Sequence, residues 1–244
     1  MKRHYLYILL FLVVSFSCAK DNKHSGYVDP NEELLESLTE VDGYDHTYNY
    51  DFKILQFREK VDFFKPISVS DALSSIPSEM RDKLNMLNAG SLPFIPAQQQ
   101  ANIVTSWNAF NKLEFQVQFS YLENPIGYKT DFKDFFIVSI TQHAEDPFAD
   151  EQVTLDMEEN LPSSYEKLVL EEGHPLYYKP EFGTWPRMFD YYMYDEADNQ
   201  MDKESTGSYQ YYAWYDGLIY KIGFNMDIST TDHEALIRKV ILGN

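Results

Sequence analysis

The chain has one cysteine, Cys18, in 244 residues. A single thiol excludes an internal disulfide, so stability has to come from a packed core. Cations are scarce as well: 20 Lys and Arg stand against 39 Asp and Glu, a formal charge of −19. That balance makes nucleic acid and anionic lipid headgroups poor partners, since both carry the same sign. Apolar runs are short. The longest, Tyr5 to Val14, opens the chain and falls below the ~20 residues of a comfortable membrane span. There is no Gly-x-Ser-x-Gly elbow, no His-Glu-x-x-His pair and no Gly-rich phosphate loop. With the one cysteine outside the body of the chain, a thiol nucleophile is excluded too.

What is present begins at the N-terminus. Lys2 and Arg3 precede the apolar run, and Ser17 and Cys18 follow it. A basic start, an apolar core and a small residue before a cut point are the marks of an export signal. With the cysteine placed directly after Ser17, the segment resembles bacterial lipoprotein signals, in which that cysteine becomes an acylated N-terminus. Ser15 and Phe16 stand where that family usually has Leu and a small residue. An uncleaved anchor helix with Cys18 as a passive residue is the other reading. The resemblance implies a signal peptide over 1–17 and lipidation at Cys18. The domain would then lie outside the cytoplasm, held to the cell membrane or envelope by lipid. One acyl chain holds a protein only marginally, and the lipoprotein family attaches several.

The polar stretch Lys20–Gly26 reads as a flexible tether, which we place over 18–50. Within it Pro30 to Leu38 has the spacing of a short helical turn. The folded part is expected from Asp51 to Asn244 as a single domain, with an extended segment through Val61, Phe63 and Phe64. Leu73, Ile76, Met80, Leu84 and Leu87 recur at three and four, which predicts a helix whose main part starts at Pro77. Phe115, Val117 and Phe119 alternate with polar residues as a half-buried strand does. Phe135–Ile140, Tyr165–Leu170, Leu176–Tyr178 and Met188–Tyr194 read as further strands, and Asp195–Gly207 as a polar loop.

The clearest element is Tyr209–Tyr215, Asp216-Gly217, Leu218–Phe224. Asp-Gly supplies the two positive φ angles of a type I′ turn. A two-residue loop pairs Tyr215 with Leu218, Ala213 with Tyr220, Tyr211 with Ile222 and Tyr209 with Phe224, an apolar face throughout. The other face, with Trp214, Tyr212, Lys221 and Gln210, is mixed. The chain ends in a helix with Leu236, Ile237, Val240 and Ile241 as its stripe, and Thr231 with Glu234 as a capping box. The expectation is an α+β fold: an antiparallel sheet, curved or half-barrel, carrying a mid-chain and a C-terminal helix.

Three stretches together resemble a second family: Glu172–Tyr178, Ala213–Tyr220 and Glu234–Ile237. They are similar in order to a group of bacterial envelope domains, found in lipoproteins and beside anti-sigma factors, with a LolA/RseB-like half-barrel. That resemblance implies a sheet curling around a helix and the binding of a lipid or peptide. It brings no catalytic residues.

No residue carries a catalytic signature, and no cofactor is implied. His143 with Glu145, Asp146 and Asp150, and the acidic loop from Asp195, lack the fixed spacing of a hard-cation site. Tyr192, Tyr212 and Trp214 are the candidate ligand-binding residues, as an aromatic platform for sugar or peptide. The competing explanation is that strands favour aromatics anyway. The leading expectation is a non-enzymatic, membrane-anchored protein that binds an apolar, peptide or carbohydrate ligand or senses the envelope. The alternative is a secreted carboxylate-dependent hydrolase such as a glycosidase, whose two acids are set by space and not by sequence. A third is a structural or accessory protein without a small-molecule site. The oligomeric state is open.

Overall fold

The structure is a computed structural model that describes residues 29–43, 59–107, 112–123, 134–149, 165–171, 173–179, 188–227 and 229–243. The export signal, Cys18 and the Asn124–Gly127 turn lie outside the described residues, as do Asp150 and most of the acidic stretch beyond it. Eleven strands make up the frame. They are β1 (Glu40–Gly43), β2 (Glu59–Phe64), β3 (Gln98–Trp107), β4 (Leu113–Leu122), β5 (Phe135–Gln142), β6 (Glu166–Glu171), β7 (His174–Lys179), β8 (Phe189–Asp195), β9 (Gln200–Thr206), β10 (Tyr209–Tyr215) and β11 (Leu218–Asn225). They join in one open sheet, in the order β6-β7-β10-β11-β5-β4-β3-β2-β1-β9-β8. Every pairing is antiparallel except β1 with β9, which run parallel.

Alternation along the central strands separates two faces. On the inner face the rows across the sheet are apolar. One row runs Ala101, Phe119, Val138, Ile222, Tyr211, Tyr178, and the next Ile103, Val117, Ile140, Tyr220, Ala213, Leu176. All of these are buried in one cluster. Three helices cover it: α1 (Val69–Ser74), α2 (Ser78–Arg81) and α3 (Thr230–Leu242), which brings Ile237, Val240 and Ile241. On the outer face the corresponding row is Asn102, Gln118, Ser139, Lys221, Tyr212, Tyr177. It is largely polar, yet Asn102, Gln118 and Ser139 are buried.

The β10–β11 hairpin has the expected register at all seven pairs, from Tyr209 with Phe224 to Tyr215 with Leu218. Asp216 and Gly217 have φ of +50° and +79°, as a type I′ turn requires. A shift of one residue would send the aromatic set of the inner face to the outer one.

Several elements differ from the sequence-based expectation. The described part of the 18–50 tether is built into the fold. Pro30–Ser37 is a 3-10 helix capped by Asp29 and Glu32. Its Leu34 and Leu35, with Leu38, pack on the inner core, and Asp29 also accepts the Leu113 N–H at 3.2 Å. The apolar stripe is what keeps this stretch out of water. The mid-chain helix is two short pieces, because the chain is extended at Pro77 and ends α2 after Arg81. Leu84 and Leu87 reach the core from irregular backbone, helped by Asn85, which donates to the Ile241 carbonyl at 2.9 Å. The C-terminal helix is capped by Ser229, whose hydroxyl accepts the Asp232 N–H, and not by Thr231. Strand β3 lies in a segment for which the sequence suggests no element, and β9 in the segment expected as a polar loop. No helix among the described residues is long and apolar enough to cross a membrane.

Candidate functional site

The far end of the sheet turns back over its own outer face. β8 and β9 form a hairpin that is joined to the rest through the parallel β1–β9 pairing. Its loop, 196–199, is closed by Asp195, whose carboxylate accepts the N–H groups of Ala197 (2.8 Å) and Asp198 (3.3 Å). Asn199 supplies the left-handed residue at φ +53°.

A side-chain amide holds β8 to the sheet beneath. Gln118 on β4 accepts the Tyr192 N–H at 2.8 Å and donates to the Tyr192 carbonyl at 2.8 Å. It does to β8 what a neighbouring strand would do. Asn102, beside it on β3, donates to the same carbonyl at 3.1 Å. Two buried amides on the outer face are therefore explained by the backbone they satisfy.

Next to this clasp β8 packs directly on β11. A Cβ at Gly223 would lie 2.5 Å from the Phe189 ring, so only glycine allows the ring to seat there. Lys221, one row away, lies over the other side of that contact, 5.2 Å from the Phe189 centroid. Asp190 is bonded to Lys203 at 2.9 Å and to the Ser205 hydroxyl. Burial raises the pKa of Asp190, but Lys221, Ser205 and Lys203 together outweigh it and hold the carboxyl below its usual range.

Between the hairpin and the outer face lies a cavity of about 290 Å³. Gln98, Gln100 and Ser120 line it with amides and a hydroxyl, while Leu122, Ile137 and Met193 give it apolar surface. Tyr191, Tyr192 and Tyr194 border it from β8, and Lys65 and Glu196 bring one charge of each sign. Lys65 lies 5.5 Å from the centroid of Tyr194. The volume is at the lower end of the roughly 300–1,000 Å³ of small-molecule sites. Glu196 is the one carboxylate among the described lining residues.

The three aromatic candidates are divided between two places. Tyr192 borders the cavity, and its ring meets Phe63 edge-on at 5.7 Å. Tyr212 and Trp214 sit further along the outer face, in a cluster with Phe148, Tyr165, Tyr177 and Ile219. Tyr212 is 2 % exposed beneath the edge of Tyr165, and so is no part of an open platform. Trp214 is half-buried; it donates to the His143 carbonyl at 2.8 Å and stacks with His174 at 6.0 Å. Covering by the Pro147–Ala149 turn is the physical reason: Phe148 seats on Tyr177 at 4.8 Å. The residues that reasoning from sequence missed are Gln98, Gln100 and Gln118. The signal was present as glutamines at strand spacing, unusual for half-buried or buried positions.

His143, Glu145 and Asp146 do not gather: the Asp146 carboxylate accepts the Phe148 N–H at 2.9 Å. Among the described residues no group of three or more acidic, His or Cys side chains is placed to hold a metal ion. No protein-family model matches the chain, and neither does any curated protein or solved structure.

Proposed function

We propose that this chain is an exported protein, anchored by lipid at Cys18, that works by binding, and that the cavity beneath β8 is its binding site. The observation that carries the reading is the cavity itself, with a cover held in place by a buried amide clasp. A fixed concavity with a few convergent polar groups is the usual form of a binding site. Its lining mixes amides, a hydroxyl and aromatic rings with apolar side chains. That lining favours a small ligand with its own polar groups over a plain hydrocarbon. Tyr192 is a binding residue in this reading; Tyr212 and Trp214 support the sheet behind it. The export signal and Cys18 supply the address, an envelope membrane with the domain outside the cytoplasm.

Two measurements test the proposal. Mass spectrometry of the mature N-terminus should find Cys18 acylated and residues 1–17 gone. An unmodified thiol, or a retained signal, rejects the anchor. For the site, amide signals of Tyr192 and Tyr194 should move in NMR titrations with a panel of small polar ligands. Movement confined to the Tyr212 and Trp214 region would put the site elsewhere.

A further inference from the structure

The chain displays, at Tyr192, the kind of group that β8 accepts along the edge that faces away from β9. Successive strand residues turn their peptide groups alternately to either side. Tyr192 turns its N–H and C=O away from β9, and both are taken by the Gln118 amide. Tyr194, two residues on, faces the same side. Beneath it the outer-face residues of β4 are Ser120 and then Leu122, neither of which carries an amide, and the gap they leave is the cavity. Ser120 already accepts a bond from Gln118 at 3.0 Å. Among the described residues, none bonds the Tyr194 peptide group on that side; its hydroxyl donates to Asn199 at 2.7 Å.

We infer that the cavity takes a short extended peptide, added to β8 as one more strand beside Tyr194. This rests on the reading of the cavity as the binding site. The peptide would repeat, with its own backbone amide, the two bonds that Gln118 makes one step earlier. Gln98 and Gln100, which bond one another, lie across the cavity with donors and acceptors for the peptide's far side. Lys65 and Glu196 bring opposite charges to the lining, so neither sign dominates locally. The formal charge of −19 over the whole chain then disfavours acidic peptides. The volume of about 290 Å³ suits a short segment and not a folded partner.

The test uses the full chain and a mixture of tripeptides capped by acetyl and amide groups, with all side chains randomised. Enrichment on the protein is read by mass spectrometry, and exchange of the Tyr194 amide hydrogen by NMR. We expect non-acidic peptides to be enriched and Tyr194 exchange to slow by about tenfold or more. Methylating the central peptide nitrogen of an enriched sequence should weaken it by about tenfold, the worth of one good hydrogen bond. Tyr194→Pro removes the outward N–H at an edge position where proline is tolerated, and should abolish binding. Tyr194→Ala keeps that N–H, so although it removes a ring from the lining it should still bind where Tyr194→Pro does not. If Tyr194→Pro fails to fold, the methylated peptide still decides the matter. Equal binding of the methylated and unmethylated peptides overturns strand addition. So does a Tyr194 amide already protected in the free protein, which would mean that a segment of this chain fills the edge. Glucose and N-acetylglucosamine are run beside the peptides. If a sugar slows Tyr194 exchange and the peptides do not, the site stands and its peptide ligand falls. If nothing binds, both fall.

Discussion

The two faces of the sheet use the same backbone and are held by different physics. The inner face is an apolar layer under helices, where contacts are non-directional and their number decides. The outer face is mixed: beside smaller apolar clusters around Phe189, Val104 and Tyr177, it is held by a few bonds with fixed partners: Gln118 and Asn102 on Tyr192, Gln116 on Ser139 at 2.7 Å, Asp190 on Lys203. An apolar layer tolerates small shifts; a polar one is specific and loses heavily when a single partner goes. The inner face therefore supplies stability, and the outer face fixes where the β8–β9 hairpin lies.

The largest break should come from the inner side. Phe136→Ala removes a ring stacked on Phe224 at 6.0 Å and facing Tyr121 at 6.5 Å. It should cost about 3–5 kcal/mol, read as a lower urea midpoint with an unchanged slope. The outer counterpart is Gln118→Ala. It leaves the Tyr192 N–H without its acceptor and the carbonyl with Asn102 alone, at about 1–3 kcal/mol. Its signature is local: hydrogen exchange should quicken in β8 and β9 while β10 and β11 keep their protection. Loss spread evenly over all strands would show that the two faces are one cooperative unit.

A pH titration sharpens the contrast. His233 on α3 is buried against the inner face, edge-on to Phe224 at 4.6 Å. Desolvation lowers its pKa below the ordinary 6.5, more than the Met226 backbone and Asp232 raise it. Below 6.5 the unfolded chain thus binds the proton more readily, and stability falls as pH drops from there toward the folded value. Asp190 on the outer side is also lowered, from 3.8, so its share is complete above that pH and is lost only below it. His233→Leu should flatten the stability profile between about pH 7 and 5. Asp190→Asn should flatten it only below about pH 4. Unfolding midpoints measured across pH check both; Asp190→Asn should lower stability by a constant amount above about pH 4, and a change of slope near neutrality would refute the assignment.

The smallest effect belongs to neither face. Lys83 donates to the Asp216 carbonyl at 2.7 Å and pairs with its carboxylate at 3.4 Å, both at the surface. Lys83→Ala should cost less than about 1 kcal/mol. A larger change in thermal midpoint would mean that this pair helps seat the hairpin turn.

The same division explains what could be read from the sequence. Tyr209 to Phe224 was legible down to register, because an Asp-Gly turn and an alternating apolar face act together at short range. β4 to β8 followed from similar patterns. Gln98–Trp107 was not legible as a strand. Its outward residues Gln98, Gln100 and Asn102 are polar although half-buried or buried, since Gln98 and Gln100 bond one another and Asn102 bonds the backbone of β8. The acidic and polar look of Gln200–Thr206 concealed β9, whose parallel pairing with β1 comes from distant chain. The site was half legible. Tyr192 stood out as an aromatic in a strand, but nothing near it in sequence announces Gln118, 74 positions away.

The strand β1 has a mechanical consequence. In the strand order it is the one link between the main sheet and the β8–β9 hairpin, and it is four residues long. It is also the first strand described from the N-terminal side. Tension entering the fold from that end therefore loads β1 before any other strand. If β1 peels away, β9 loses that neighbour and the hairpin is held to the sheet by its side-chain clasp and the seat of Phe189 on β11. A pull along the N-terminal segment would slacken the roof of the cavity while the apolar layer and its helices stayed intact.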